Sequence, residues 1–140
     1  MAIADSITQL SGKKRIVYSD ITVNMDVHPD TGDLFLITNE NAIKQSLKNL
    51  VKTQTYERLY DPAFGGNLTK SLFQLMTTEE LYTIKTMLEN SIKNQEQRVT
   101  LTNINLVADF EADGVNITIQ YTINNIPGPQ VVSLFVARIR

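Results

Sequence analysis

The chain has 140 residues, 42% of them hydrophobic and 20% charged, with a formal net charge of −2 and no cysteine. That length suits one domain able to bury roughly two thirds of its unfolded surface, and the composition is that of a globular protein, not a disordered or fibrous one. A near-neutral balance offers no field to hold a phosphate backbone, which argues against nucleic acid as a partner, and the missing cysteines exclude disulfides, thiolate zinc sites and a cysteine nucleophile.

Met1 to Leu10 alternate apolar and polar residues and include Asp5, unlike a secretion signal, and no run approaches the ~20 apolar residues of a membrane helix. The expectation is a protein made in the cytosol and used there, or assembled there into something larger. Ser11-Gly12-Lys13-Lys14-Arg15 forms a basic break, so residues 1–15 are expected to be an arm, loose or ordered by a partner. Residues 16–140 are expected to be a single domain. Three basic residues beside a near-neutral domain are read as a solvated terminus.

Pro29-Asp30-Thr31-Gly32-Asp33 collects turn formers, and Leu34 to Ile37 follows as a short apolar run fit for a strand. His28, the one histidine, lacks a companion ligand nearby and reads as a turn residue, not a metal site. From Glu40 to about Thr53, Ile43, Leu47, Leu50 and Val51 fall at helical spacing, with Thr38 or Asn39 as cap and Lys44, Gln45, Lys48 and Asn49 on the other face.

Tyr60 to Asn67 must be a loop, because Pro62 and the paired glycines oppose helix and strand alike. Gly65-Gly66 lacks the context of a phosphate loop and is read as a turn. A short helix is expected next, with Leu68, Leu72, Phe73, Leu75 and Met76 on its apolar side. Thr77-Thr78-Glu79-Glu80 then reads as a capping box opening a longer helix that carries Leu81, Ile84, Leu88 and Ile92 and ends near Gln95.

After Arg98 the period changes. Val99 and Leu101 are followed by Ile104, Leu106, Ala108 and Phe110, a phase shift that a bulge near Thr102-Asn103 would explain. Asp113-Gly114 signals a hairpin, Val115 to Ile123 alternate without a break, Ile126-Pro127-Gly128-Pro129 signals another turn, and Gln130 to Ile139 supplies a last strand. The predicted fold class is α+β: a helical middle packed on a mainly antiparallel sheet formed largely by the C-terminal half, with Leu34 to Ile37 as a further candidate strand.

No convergent catalytic set emerges. Glu57, Asp61 and Glu96 are the candidate carboxylates for glycoside hydrolysis, but Glu57 beside Arg58 and Glu96 beside Arg98 fit ion pairs or hydrogen bonds that fix loops. The last strand has apolar residues on both faces. It is either central and covered, or an edge that receives a strand from another chain, and periodicity leaves both open.

Several short segments, in order, carry a resemblance: Asp20-Ile21, Asn41 to Leu47, Thr53, Glu57-Arg58, Pro62-Ala63-Phe64-Gly65, Leu72-Phe73 and Glu96-Gln97-Arg98-Val99. Over roughly residues 16–123 the chain resembles the baseplate wedge, or sheath-initiator, family of contractile phage tails, which has relatives in type VI secretion baseplates. The resemblance implies a virion tail protein assembled in the host cytoplasm. Its partners would be other wedge proteins and the tail sheath protein; nucleic acid, membrane, small-molecule substrate, cofactor and metal have no place in it. It also implies that Glu96, Gln97 and Arg98 contact the helical core bundle of the wedge. Gln130, Val131, Val132, Ser133, Leu134, Phe135, Val136, Ala137, Arg138 and Ile139 would form a sheath-facing strand, and Glu57, Arg58, Pro62, Phe64 and Gly65 a structural loop.

Two positions depart from the family pattern. Tyr56 stands where the family has Gly, so a turn needing positive φ would be altered. Gln97 stands where the family has Pro, which removes backbone stiffening but keeps both charges. The alternative reading is a tail-associated, lysozyme-like enzyme that cleaves peptidoglycan, with Glu57 or Glu96 as its acid.

Overall fold

The computed structural model describes residues 15–66, 68–72 and 77–138. The expected arm up to residue 14, the side chains of Phe73, Leu75 and Met76, and Ile139 lie outside the described residues. In chain order the elements are β1 (Ser19–Ile21), β2 (Leu36–Thr38), α1 (Glu40–Lys52), α2 (Leu68–Ser71), α3 (Thr78–Gln95), β3 (Val99–Asp109), β4 (Gly114–Ile123) and β5 (Ile126–Ala137). The α+β class expected from the sequence is the one observed.

The core lies between the helices and one face of an antiparallel sheet of order β3-β4-β5. Strict alternation along β4 turns Val115, Ile117, Ile119, Tyr121 and Ile123 inward, each at most 3% exposed, because residues two apart share a sheet face. Ile43, Leu47, Leu50 and Val51 of α1 and Ile84, Leu88 and Ile92 of α3 close over them. Each such side chain contributes about 1.5–3 kcal/mol by leaving water. The opposite sheet face is open, with Val107, Val131 and Phe135 all exposed.

The expected bulge is present: the β3–β4 register shifts between Leu101 and Asn103. That extra residue brings Ile104 and Leu106 back to the face already used by Val99 and Leu101. The Asp113-Gly114 signal marks the end of a longer connection: Asp109 pairs with Gly114, and the Asp109 carboxylate accepts from the amides of Glu111 and Ala112. Asp113 takes φ 50°, the left-handed conformation that aspartate tolerates.

The second turn falls earlier than expected. Ile123 pairs with Ile126, so Asn124-Asn125 makes the turn and the strand begins at Ile126, not Gln130. Asn125 has φ 67°, which asparagine reaches at little cost. Pro127-Gly128 is instead a bulge inside β5, since Thr122 next pairs with Pro129, a place where prolines survive only on an edge strand.

Leu34 to Ile37 does not join the main sheet. Its second half forms β2, which pairs with β1 in a separate two-stranded sheet, extended by a bridge between Val27 and Leu34. The tip is the expected turn, where the His28 amide donates to the Asp33 carbonyl and the Gly32 amide to that of His28.

The caps divide. Thr77 behaves as expected and accepts from the Glu80 amide at 3.3 Å. Asn39 occupies the cap position of α1 but makes no side-chain cap bond. Its amide group faces backwards, accepting from Val17 and Tyr18 and donating to the Arg15 carbonyl, so it ties the incoming segment to the helix and is 4% exposed.

Candidate functional site: a clamped arginine and a strand edge

Glu96 ends α3, its amide still bonded to the Ile92 carbonyl, and the chain then turns through Gln97 and Arg98 into β3. Glu96 is buried at 5% exposure. Arg98 donates to it twice, Nε to Oε1 and Nη2 to Oε2, both at 2.6 Å, and Ser46 of α1 donates Oγ–H to Oε2 at 2.6 Å. This two-pronged pairing is the strong geometry for a guanidinium and a carboxylate.

Burial works to push the Glu96 carboxyl up, but the hydrogen bonds from Arg98 and Ser46 and the Arg98 charge outweigh it and hold the group below its ordinary value. The hydrogen bond to Glu96 in turn raises Arg98. The Arg98 side chain keeps 37% of its surface exposed, lies 5.7 Å from the Tyr18 ring centroid, and is flanked by exposed Gln97. Gln97 is exposed and Arg98 partly so, whereas Glu96 is buried and orients Arg98.

Asn124, just past β4, ties this turn down. Its amide donates to the Arg98 carbonyl at 2.9 Å and its side chain to the Gln97 carbonyl at 3.0 Å, while its own carbonyl accepts from Tyr18 Oη. Ser46, Tyr18 and Asn124 escaped the sequence reading as site residues. Ser46 lay inside a segment of the resemblance, but its role rests on a contact 50 residues along the chain.

The loop residues converge on one another. Glu57 accepts from the Gln54 amide at 2.9 Å, Arg58 stacks 3.7 Å above the Phe64 ring, and the Pro62 carbonyl accepts from the Tyr56 amide. Gly65 has φ 132°, and a β carbon there would stand 2.6 Å from the Thr53 carbonyl oxygen. Tyr56 itself carries φ 71°. The left-handed conformation thus falls on a tyrosine, at a cost of about 1–2 kcal/mol.

Of the two readings left open for the last strand, the structure has the edge. Among the described residues β5 pairs only with β4. Val132 and Leu134 point into the core, while Val131 and Phe135 are 51% and 41% exposed on the open face, with Ser133 between them. Gln130, Val136, Ala137 and Arg138 continue the described strand and its exit, and among the described residues the other backbone edge of β5 has no partner strand.

Solved structures share this fold. A chain of the anti-feeding prophage baseplate matches with a TM-score of 0.69 and 29% identity, over 78% of this chain and 87% of that one. A proposed tail lysozyme from Geobacter sulfurreducens (TM-score 0.68, 20% identity, 76% and 96% covered) and a chain of the postcontracted pyocin R2 baseplate (0.57, 16%, 71% and 98%) share the fold. The class is therefore that of contractile-tail baseplate components. Residues 38–127 match the family of baseplate wedge protein gp25, and the chain belongs to that family. The gp25 baseplate wedge protein of Enterobacteria phage T4 is 26% identical over 111 residues, 79% of this chain and 83% of that protein. The resemblance read from the short segments is borne out.

Proposed function

We propose that this wedge subunit joins the wedge core bundle to the tail sheath, and that β5 templates sheath assembly by accepting an extended strand from a sheath subunit. The observation that carries the reading is a backbone edge of β5 that no strand among the described residues pairs with, on a strand whose other edge is fixed to β4 in a defined register. Added strands bind through main-chain hydrogen bonds, with side-chain pockets setting the register. Arg98 and Gln97 are the wedge-bundle contact; Glu96 acts through Arg98, holding its guanidinium in one orientation. Residues 16–140 work as one wedge domain after an arm at 1–15, with Glu57, Arg58, Pro62, Phe64 and Gly65 as its brace. Assembly takes place in the host cytoplasm.

The role is structural, not catalytic. A glycosidase acid needs a carboxyl held above its ordinary value, and Glu96 is held below it. Purified protein should fail to clear a cell-wall suspension; clearing that disappears in Glu57→Gln would overturn this reading.

Deleting β5 would strip Val132 and Leu134 from the core, so the strand role is better tested by charge. Lysines on an edge strand discourage pairing. Baseplates carrying Val131→Lys with Ser133→Lys should form but nucleate little sheath in electron micrographs. Unchanged sheath growth would sink the template role.

A further inference from the structure

The polar face of α1 carries charge of one sign. Lys44, Lys48 and Lys52 recur every four residues, and the one acid of the helix, Glu40, sits in its first turn. Among the described residues no carboxylate lies within ion-pairing distance of these lysines. They border a groove of about 420 Å³ whose other side is the β1–β2 hairpin, represented by Val23 and Ile37.

Gln45 fixes that wall. Its side-chain carbonyl accepts from the Val23 amide at 3.2 Å and its NH2 donates to the Ile21 carbonyl at 2.8 Å, so one amide group bonds the outer edge of β1 as a further strand would. Val23 is held there with 62% of its surface exposed. The groove thus joins an apolar wall, a tethered backbone and a row of three cations with no ion-pair partner among the described residues.

We infer that this groove docks an acidic amphipathic helix belonging to another chain. Four residues of helix rise about 6 Å, so carboxylates at every fourth position of an antiparallel helix meet the three lysines in step, while its apolar stripe covers Val23 and Ile37. A polyanion such as nucleic acid would meet the net charge of −2 and gain nothing from Val23. The first 14 residues of this chain fit poorly, having one acid, Asp5, and two lysines. The inference requires neither the β5 nor the Arg98 role.

The test compares isolated full-length protein with the same protein in assembled baseplates. Acetylation of Lys44, Lys48 and Lys52 should slow about tenfold on assembly, as for sites shielded by a bound partner. Carbodiimide should couple them to Asp or Glu residues three or four apart in one partner segment. Equal acetylation rates in the two states, or protection without carboxylate coupling, overturn the inference. As a second readout, Lys44→Gln/Lys48→Gln/Lys52→Gln, confirmed folded by circular dichroism, should compete about tenfold less well than wild type for incorporation. Equal incorporation likewise counts against the groove.

Discussion

β4 and the β1–β2 hairpin are both built from alternating, β-branched sequence, yet they hold their shape by different means. Along β4 every second side chain is at most 3% exposed, and the strand is paired on both edges. In the hairpin Ile21, Val23, Met25, Val27 and Leu36 are 43–70% exposed. Polar bonds from Asn39 and Gln45 fix it to α1. Alternation becomes a continuous strand along β4, whereas in the hairpin β1 ends at Ile21 and the alternating Val23 and Met25 lie outside any strand; burial is what separates the two.

The sharpest test of that contrast is truncation of a side chain in each region. Ile119→Ala should cost about 2–5 kcal/mol in urea unfolding, whereas Met25→Ala should stay within ~0.5 kcal/mol. A large loss at Met25 would mean that the hairpin shares the core.

Removing Arg98 should come next in size. Arg98→Ala leaves the Glu96 carboxylate buried without its main partner, costing about 1–3 kcal/mol, a range discounted for the partial exposure of Arg98. Glu96→Gln in the same chain should recover most of it. Equal stability of the two variants would show that the stranded charge is not the cause.

The pH dependence follows from the same pair. Because Glu96 is held below its ordinary value of 4.5, the unfolded chain takes up a proton first as the pH falls. The contribution of this carboxylate is therefore complete well above pH 4.5, begins to shrink near that value, and is lost as the pH falls through the folded value. Glu96→Gln should flatten the acid limb of a stability–pH curve, and an unchanged slope would contradict the assignment.

Backbone substitutions give smaller effects. Tyr56→Gly relieves the φ of 71° and should stabilise by up to about 1 kcal/mol, since glycine gives back part of the gain as unfolded-state entropy. Gln45→Ala should leave the unfolding midpoint nearly unchanged. It should, however, speed hydrogen exchange at the Val23 amide, a local opening confined to the hairpin.

What the sequence disclosed follows the range of the interactions. The β3 bulge, the Thr77 cap and the helical faces rest on neighbours within a few residues, and all appeared in the pattern. Asn39 did not read correctly from local sequence: a capping residue is the natural local reading, but its side chain is turned to partners 21 or more residues away. Glu96 read correctly as the partner of Arg98 two residues on, whereas its bond from Ser46, spanning 50 residues, did not. Asn124 went unnoticed for the same reason, its bond to Gln97 spanning 27 residues. The edge position of β5 depended on strand order, which periodicity does not encode.

The ladder between β4 and β5 has ten paired positions. Antiparallel bonds run across the strand direction, so a pull along β5 strains them together in shear, whereas a pull away from the sheet opens them one at a time from an end. A force carried along β5 thus meets the resistance of the whole ladder, and Val132 and Leu134 in the core add friction against sliding. The direction of loading, more than the count of bonds, sets what tension this subunit withstands.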